Sequence, residues 1–337
     1  MFHKPCVSFL KKEDAQYNPS LKAFVKSFPA TVNGYTFTEI LGWGSFAVVV
    51  KAHHAGYNCD FAAKVIPEKD NIDHTSEIRI LQSLCHPNII KIYDSFNALK
   101  NLFVIILQFC KNGTLKKEIK PQVGLAQHLL IPYMKQILEA LQYLHLKRIV
   151  HRDIKTANIF IDNYDRPLLG DFGLSFIVEG DGTKCSEYSG ALLYRAPELI
   201  MKQPHDPFKT DIWALGVVFY IMAVGNEPWS LFNPEAMKNS IANAQFTIPE
   251  TVNPDIANII KSMLVVNPAD RADTTELLNT PIFKYVPSEK RKNVRHYKSS
   301  SQLPKYSKLP TITKHSSTDI KNRSSHKSMV MYKQSNT

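Results

Sequence analysis

The spacing of hydrophobic positions changes along this chain. Between Tyr35 and Ile66, apolar, β-branched and aromatic residues fall in short runs, "YTFTEILGW", "FAVVVKA" and "FAAKVI". Gly56 and Asn58 supply turn signals between the last two, so the stretch predicts strands. "SEIRILQSLC" shifts to a three- to four-residue spacing and predicts a helix with Ile78, Leu81 and Cys85 on one face. "NLFVIILQF" reads as a buried strand. From about residue 125 the pattern is helical, and Ile131, Met134, Leu138, Leu141 and His145 trace one face of "LLIPYMKQILEALQYLH". The longest apolar run, "IWALGVVFYIMAVG", residues 212–225, is short of the ~20 residues a bilayer requires. It reads as a buried core helix, and no transmembrane segment is expected. Residues 1–34 show no sustained period and read as an extension, and no internal repeat is present.

After Phe283 the composition turns to Ser, Lys, Thr and Asn. Such a segment buries too little apolar surface to offset its ordering entropy, so a disordered tail is expected over 284–337. The formal charge of +11 is concentrated there: residues 285–337 hold 12 Lys/Arg and 2 Asp/Glu. Charge alone would draw such a tail to an anionic partner, membrane or nucleic acid. The body is close to neutral, and 337 residues suffice for one large domain or two lobes. The five cysteines are scattered, which suits neither a zinc site nor a disulfide framework and points to a reducing compartment. The N-terminus lacks the apolar stretch and cleavage site of a signal peptide, so a cytoplasmic location is expected. The run "KRKNVR", residues 290–295, is compatible with nuclear entry.

Four stretches carry chemistry. In "LGWGSFAVVVKA", Gly42 and Gly44 sit at the end of a strand, where a glycine hairpin lets the backbone approach phosphates closely. In "FAAKVI", Lys64 lies inside an apolar strand, and an ammonium there needs an anion. Glu77, on the following helix, is the natural candidate. In "IVHRDIKTANIFI", Asp153, Lys155 and Asn158 supply a carboxylate to accept a proton, an ammonium to neutralise phosphoryl charge and an amide oxygen for a metal. "GDFGLS" follows, with Asp171 as a second metal ligand and Gly173 as a hinge.

With these in order, and with "APE", "DIWALG" and the late arginine of "NPADRADTTELL", residues 35–283 resemble a eukaryotic serine/threonine protein kinase. "HPNIIKIYDSF" and "NGTL" are similar to the calcium/calmodulin-dependent-like group, and "GSFAVVVKA" to Unc-51-like and polo-like kinases. "LYRAPEL" is similar to cyclin-dependent and MAP kinases, but the stretch from Asp211 to Arg271 leaves no room for the insert those enzymes carry, so the calcium/calmodulin-dependent-like group is favoured. The resemblance implies an α+β, bilobal fold. The N-lobe, about 35–107, would be a small antiparallel sheet with one key helix. A hinge at 108–113 would lead to a larger, mainly helical C-lobe at 114–283. It implies ATP and Mg²⁺, with protein Ser/Thr hydroxyls as substrates.

By the same resemblance, Lys64 would hold ATP phosphates and pair with Glu77, Asp171 and Asn158 would bind Mg²⁺, Asp153 would accept the substrate proton, and Lys155 would steady the γ-phosphate. Leu41, Gly42, Gly44, Val49, Ala62 and Phe160 would surround the nucleotide. The backbones of Gln108 and Cys110 would meet the purine edge, Leu107 would be the gatekeeper, and Thr114 would stand near the ribose. Asp211 would tie down the catalytic loop, with Trp213 beneath it, and Glu198 would pair with Arg271. Lys155 implies Ser/Thr specificity. Positions where related enzymes hold acids for upstream arginines are Thr114, Ala157 and Ile221, so weak selection there is expected.

The family's usual activating phosphoacceptor falls at Glu187. Its carboxylate is expected to pair with Arg152 and to supply part of that charge permanently. Thr183, Ser186, Tyr188 and Ser189 are modifiable neighbours. Ala47 replaces the third glycine, and Ala191 replaces a hydroxyl that restrains the catalytic Asp and Lys. Two other readings stay open: a catalytically weak pseudokinase-like scaffold, and tail-mediated binding as the main role.

Overall fold

The alternating runs of the first third form one antiparallel sheet. Its strands are β1 (Ala30–Val32), β2 (Tyr35–Trp43), β3 (Val48–His54), β4 (Cys59–Pro67), β5 (Ile92–Ala98) and β6 (Leu102–Gln108), in the order β1-β2-β3-β4-β6-β5. The structure is a computed structural model that describes residues 18–44, 47–68, 75–98, 101–180 and 184–284. The expectations for residues 1–17, for Thr183 and for the 285–337 tail lie outside these residues.

Successive side chains of a strand point to opposite faces. Val48, Val50 and Ala52 of β3, and Phe61, Ala63 and Val65 of β4, are therefore buried on one face. Val49, Ala62 and Lys64 take the other, with Val49 opposite Lys64 in the register. A helix, Pro19–Lys26, covers the first face, and its Leu21 is fully buried among Tyr35, Phe37 and the β3–β4 residues. This helix and β1 lie in the extension for which the sequence shows no period. Eight residues with one fully buried side chain are too few to establish a repeat. A local signal does mark its start: the Asn18 side chain accepts from Ser20 and Leu21 N–H, and Pro19 opens the helix.

Beside the sheet lies the helix Thr75–Ser83, with Glu77, Ile80 and Leu81 buried. The expected face Ile78–Leu81–Cys85 is thus corrected. The helix stops at Ser83, whose hydroxyl donates to Ile80 O at 2.7 Å. Cys85 lies past the end and is exposed, while Ile78 is half-buried.

The second lobe is helical. The helix Gln127–Leu146 buries a wider face than expected, adding Leu130, Tyr133, Ile137, Ala140 and Leu144 to Met134, Leu138 and Leu141, while Ile131 and His145 stay at its margin. The helix Pro207–Val224 is the core helix. Its mean hydropathy of 1.3 would pass for a membrane span, but 78% of it is buried inside the protein. Among the described residues, helices Leu115–Glu118, Pro197–Ile200, Pro234–Ala242, Pro254–Met263, Thr274–Leu278 and Pro281–Lys284 complete the lobe. Two small pairings, β7 (Ile149–Val150) with β10 (Phe176–Ile177) and β8 (Ile159–Ile161) with β9 (Pro167–Leu169), bring the loops at 151–158 and 170–175 together. The expected two-lobed α+β architecture is the one found.

Candidate active site

Lys64 meets two anions. Its Nζ lies 2.7 Å from Glu77 Oε1 and 3.1 Å from Asp171 Oδ1. Burial pulls the ammonium's pKa down, but Asp171 and Glu77 outweigh it and hold the group above the ordinary lysine value. In return the Lys64 charge depresses Asp171 to about 2 against the opposing effect of burial. Asp171 adopts φ +60°, a left-handed conformation that costs a non-glycine residue about 1 kcal/mol or more. Gly173 keeps the cluster open. A Cβ there would stand 3.3 Å from Lys64 Nζ and 3.5 Å from Asp171 Oδ1.

The loop beginning at His151 is anchored from below. Asp211, 1% exposed on the core helix, accepts from His151 N–H at 2.8 Å and Arg152 N–H at 2.9 Å. Its Oδ2 also faces His145 Nε2 at 3.3 Å. Arg152 takes φ +64°, a second left-handed non-glycine residue. Asp153 follows, with Lys155 Nζ 2.6 Å from its Oδ2. Asn158 Nδ2 donates to Asp153 O and Oδ2, both at 2.9 Å. The amide nitrogen is thereby engaged, and Asn158 Oδ1 remains as an oxygen donor.

Between the lobes, Gly42 near the end of β2 stands opposite Val49, beside the exposed Leu41, and Gly44 just past the strand donates from N–H to Ala47 O at 2.8 Å; Ala62 lies on the next strand, opposite Lys51. Leu107 pairs with Ala62, and Thr114 bridges to Phe160 across the floor. Gly170 fits against the Phe160 ring, where a Cβ would come within 2.8 Å of it. Gln108 N–H is taken by Lys91 O at 2.8 Å, and Cys110 O accepts from Gly113 N–H at 3.2 Å. The complementary groups these residues could offer a purine are an acceptor on Gln108 and a donor on Cys110. Burial, then the Asp162 charge, pushes the Cys110 thiol up to about 12.

The segment before Ala-Pro-Glu is held at several points. Arg152 Nη1 lies 2.6 Å from Glu187 Oε2, and its Nε donates to Ser189 Oγ at 3.0 Å. Its guanidinium also stacks 5.0 Å from the Phe176 ring. Tyr188 OH donates to Lys202 O at 2.6 Å, and Cys185 pairs by backbone with His205. Ser186 is exposed. At the segment's end Arg271 grips Glu198 with two bonds of 2.9 and 3.1 Å, and its charge also lies 5.1 Å from the buried Trp213 ring.

These placements leave a lysine, a paired glutamate, two candidate metal ligands and a carboxylate–lysine pair around one cleft. The profile of the protein kinase domain matches residues 35–283. The chain belongs to the protein kinase family. Among relatives, it is 30% identical over 256 residues to the serine/threonine-protein kinase polo of Drosophila melanogaster, covering 74% of this chain and 44% of that protein. It is 32% identical over 255 residues to the serine/threonine-protein kinase SIK1 of Rattus norvegicus, covering 74% of this chain and 32% of the relative. It is 32% identical over 271 residues to the serine/threonine-protein kinase PLK1 of Xenopus laevis, covering 77% and 44%. The chain therefore spans a third to under half of these relatives' length.

Three features of the kinase domain escaped the sequence reading. His145 was placed on a helix face but supports Asp211 instead. His151, fully buried, packs with Nε2 3.1 Å from Gly170 O and so links the two loops. Arg195 donates from Nε to Gly190 O at 2.9 Å. The stretch "LYRAPEL" that holds it was visible as a resemblance, but this contact was not.

Proposed function

We propose that this protein transfers the γ-phosphoryl group of ATP to serine and threonine hydroxyls of proteins. The observation that carries the reading is the pair of clusters Lys64–Glu77–Asp171 and Asp153–Lys155–Asn158 on loops tied together where Gly170 N–H donates to Asn158 O at 2.9 Å. Phosphoryl transfer needs positioning and fixed charge more than covalent help, and this cleft supplies both. Asp153 is set to orient the incoming hydroxyl and take its proton. Lys155, held 2.6 Å from that carboxylate, places positive charge beside the point of transfer.

The donor set fits Mg²⁺. Asp171 offers a carboxylate and Asn158 an amide oxygen, the hard ligands this ion prefers. Two protein ligands suit an ion that shares its coordination with phosphates, and among the described residues no cluster of three or more His, Cys, Asp or Glu could hold a metal alone. When bound, the ion would neutralise phosphate charge. Lys155 supports the Ser/Thr class, in line with the kinases to which the chain is similar.

We further propose that Glu187, through Arg152, stands in for part of an activating phosphate. A carboxylate carries less charge and fewer acceptor oxygens than a phosphate, so the effect is partial.

The test is transfer of labelled γ-phosphate to a generic protein substrate. Asp153→Asn should lower kcat by about 10²- to 10⁴-fold while leaving ATP-induced thermal stabilisation intact. Equal transfer by wild type and Asp153→Asn would refute the assignment.

A further inference from the structure

The hairpin between β2 and β3 changes face where its glycines begin. Ile40 stands opposite Val50 but Gly42 opposite Val49, so the ladder shifts by one residue at Leu41. Side chains alternate along a strand, and a shift of one residue therefore exchanges the two faces. Without the shift, Gly42 would meet Val48 on the face covered by the helix Pro19–Lys26, and Trp43 would turn toward the cleft. With it, Gly42 shares the face of Val49 and Lys64, and Trp43 stands opposite the fully buried Val48. There Trp43, half-buried, packs against the cluster that holds Leu21, Phe37, Val48 and Val65.

An indole between two glycines has a physical use. A Cβ at Gly42 would meet no described atom within 4 Å, so packing inside the protein does not call for glycine at that position. What glycine suits there is close approach of a ligand to the backbone. The same freedom has a cost, because a loose hairpin binds phosphates only in the fraction of time that it holds the right shape. Trp43 opposes that loss by tying the first arm of the hairpin to the outer core. The second arm is tied separately. Gly44 N–H donates to Ala47 O at 2.8 Å, and Ala47, 5% exposed, belongs to the other core cluster with Ile66, Ile80 and Phe172. The two arms are thus anchored on opposite faces of the sheet.

We infer that Trp43 is a positioning residue for the nucleotide: its indole, seated in the outer core, holds Gly42 and Gly44 in the shape that receives the phosphates. The inference deepens the kinase reading above and rests on it. Trp43 touches no part of the nucleotide, since it lies on the far face of the strand. Its loss therefore weakens the grip on the phosphates and leaves the grip on the nucleoside unchanged.

The test uses the full chain and two ligands, ADP with Mg²⁺ and adenosine, measured by calorimetry on wild type, Trp43→Ser and Trp43→Phe. In Trp43→Ser the Kd for ADP should rise about fivefold or more, while the Kd for adenosine moves by less than about twofold. The KM for ATP in labelled phosphate transfer should rise with the ADP Kd, and kcat at saturating ATP should fall by less. Trp43→Phe, which keeps an aromatic ring in the outer core, should restore most of the ADP affinity. Equal weakening of both ligands would mean general damage to the sheet, and unchanged ADP affinity would mean that the hairpin holds its shape without the indole. Either result overturns the inference and leaves the kinase reading standing. If Trp43→Ser fails to fold, Trp43→Leu is measured with the same two ligands and judged by the same contrast. Wild type that binds neither ligand and transfers no phosphate would remove the kinase reading, and this inference with it.

Discussion

Two arginine–carboxylate pairs hold the segment that runs up to Ala-Pro-Glu, one at its end and one at its middle. Arg271 and Glu198 have side chains 0% and 4% exposed, and Arg271 also donates to the carbonyls of Lys209 and Val265. Arg152 and Glu187 are 15% and 70% exposed. Both pairs join a guanidinium to a carboxylate, by two bonds at the end and one at the middle, and their surroundings differ most. At the end, two charges sit where water cannot replace a lost partner. At the middle, one face of the pair is open to solvent and ions. Burial therefore assigns the roles: the first pair fixes the fold, and the second adjusts a loop.

The comparison breaks most visibly at the buried pair. Arg271→Leu would leave Glu198 as an uncompensated buried carboxylate, and the expected loss of stability is about 3–5 kcal/mol. Urea unfolding followed by fluorescence measures it. A loss under about 1 kcal/mol would mean that water reaches Glu198 and that the two pairs are alike.

Ala191 lies between the pairs and supplies the next effect. It lines the same cavity as Asp153 and Arg152 but contributes no hydroxyl. A neutral hydrogen bond is worth about 0.5–1.5 kcal/mol, so Ala191→Thr should raise kcat by up to about tenfold with little change in KM for peptide. Steady-state kinetics on one peptide would show it. An unchanged or lower kcat would show that Lys155 and Asn158 already restrain Asp153 fully.

Both sites were partly visible in the sequence, for a physical reason. A charge inside an apolar strand demands a partner, so Lys64 pointed to Glu77 before any coordinates, and the short spacing of Asp153, Lys155 and Asn158 pointed to one loop. Asp171 as a second anion on Lys64 was less accessible, because their 107-residue separation is closed only by the sheet and hairpins. The left-handed backbones of Arg152 and Asp171 were invisible, since neither residue type announces that conformation. The Pro19–Lys26 helix was missed because it is anchored by one fully buried leucine, below what any periodicity can register. Cys85 was misplaced because a spacing rule does not see where a helix ends. The Arg195–Gly190 contact depends on the intervening turn at Leu192–Tyr194, which folds the arginine back on its own chain.

The smallest effect is the most discriminating. Glu187 reaches Arg152 at 2.6 Å but is 70% exposed, so solvent screening limits the pair to about 0.2–1 kcal/mol. Glu187→Ala should therefore lower activity by about fivefold at most in low salt, with no measurable change in unfolding midpoint. The screening length falls from about 10 Å at 0.1 M salt to about 3 Å at 1 M, so wild type and variant should converge as salt rises. The Arg271–Glu198 pair, shielded from ions, should show no such convergence when Arg271→Leu is followed across the same salt series. Loss of activity in Glu187→Ala that persists at 1 M salt would mean the pair is closed off from water when substrate is bound. The middle of the segment would then resemble its end, and the loop would be a fixed part of the fold. No loss at low salt would mean that Ser189, Tyr188 and the Cys185–His205 bridge already hold the segment without it.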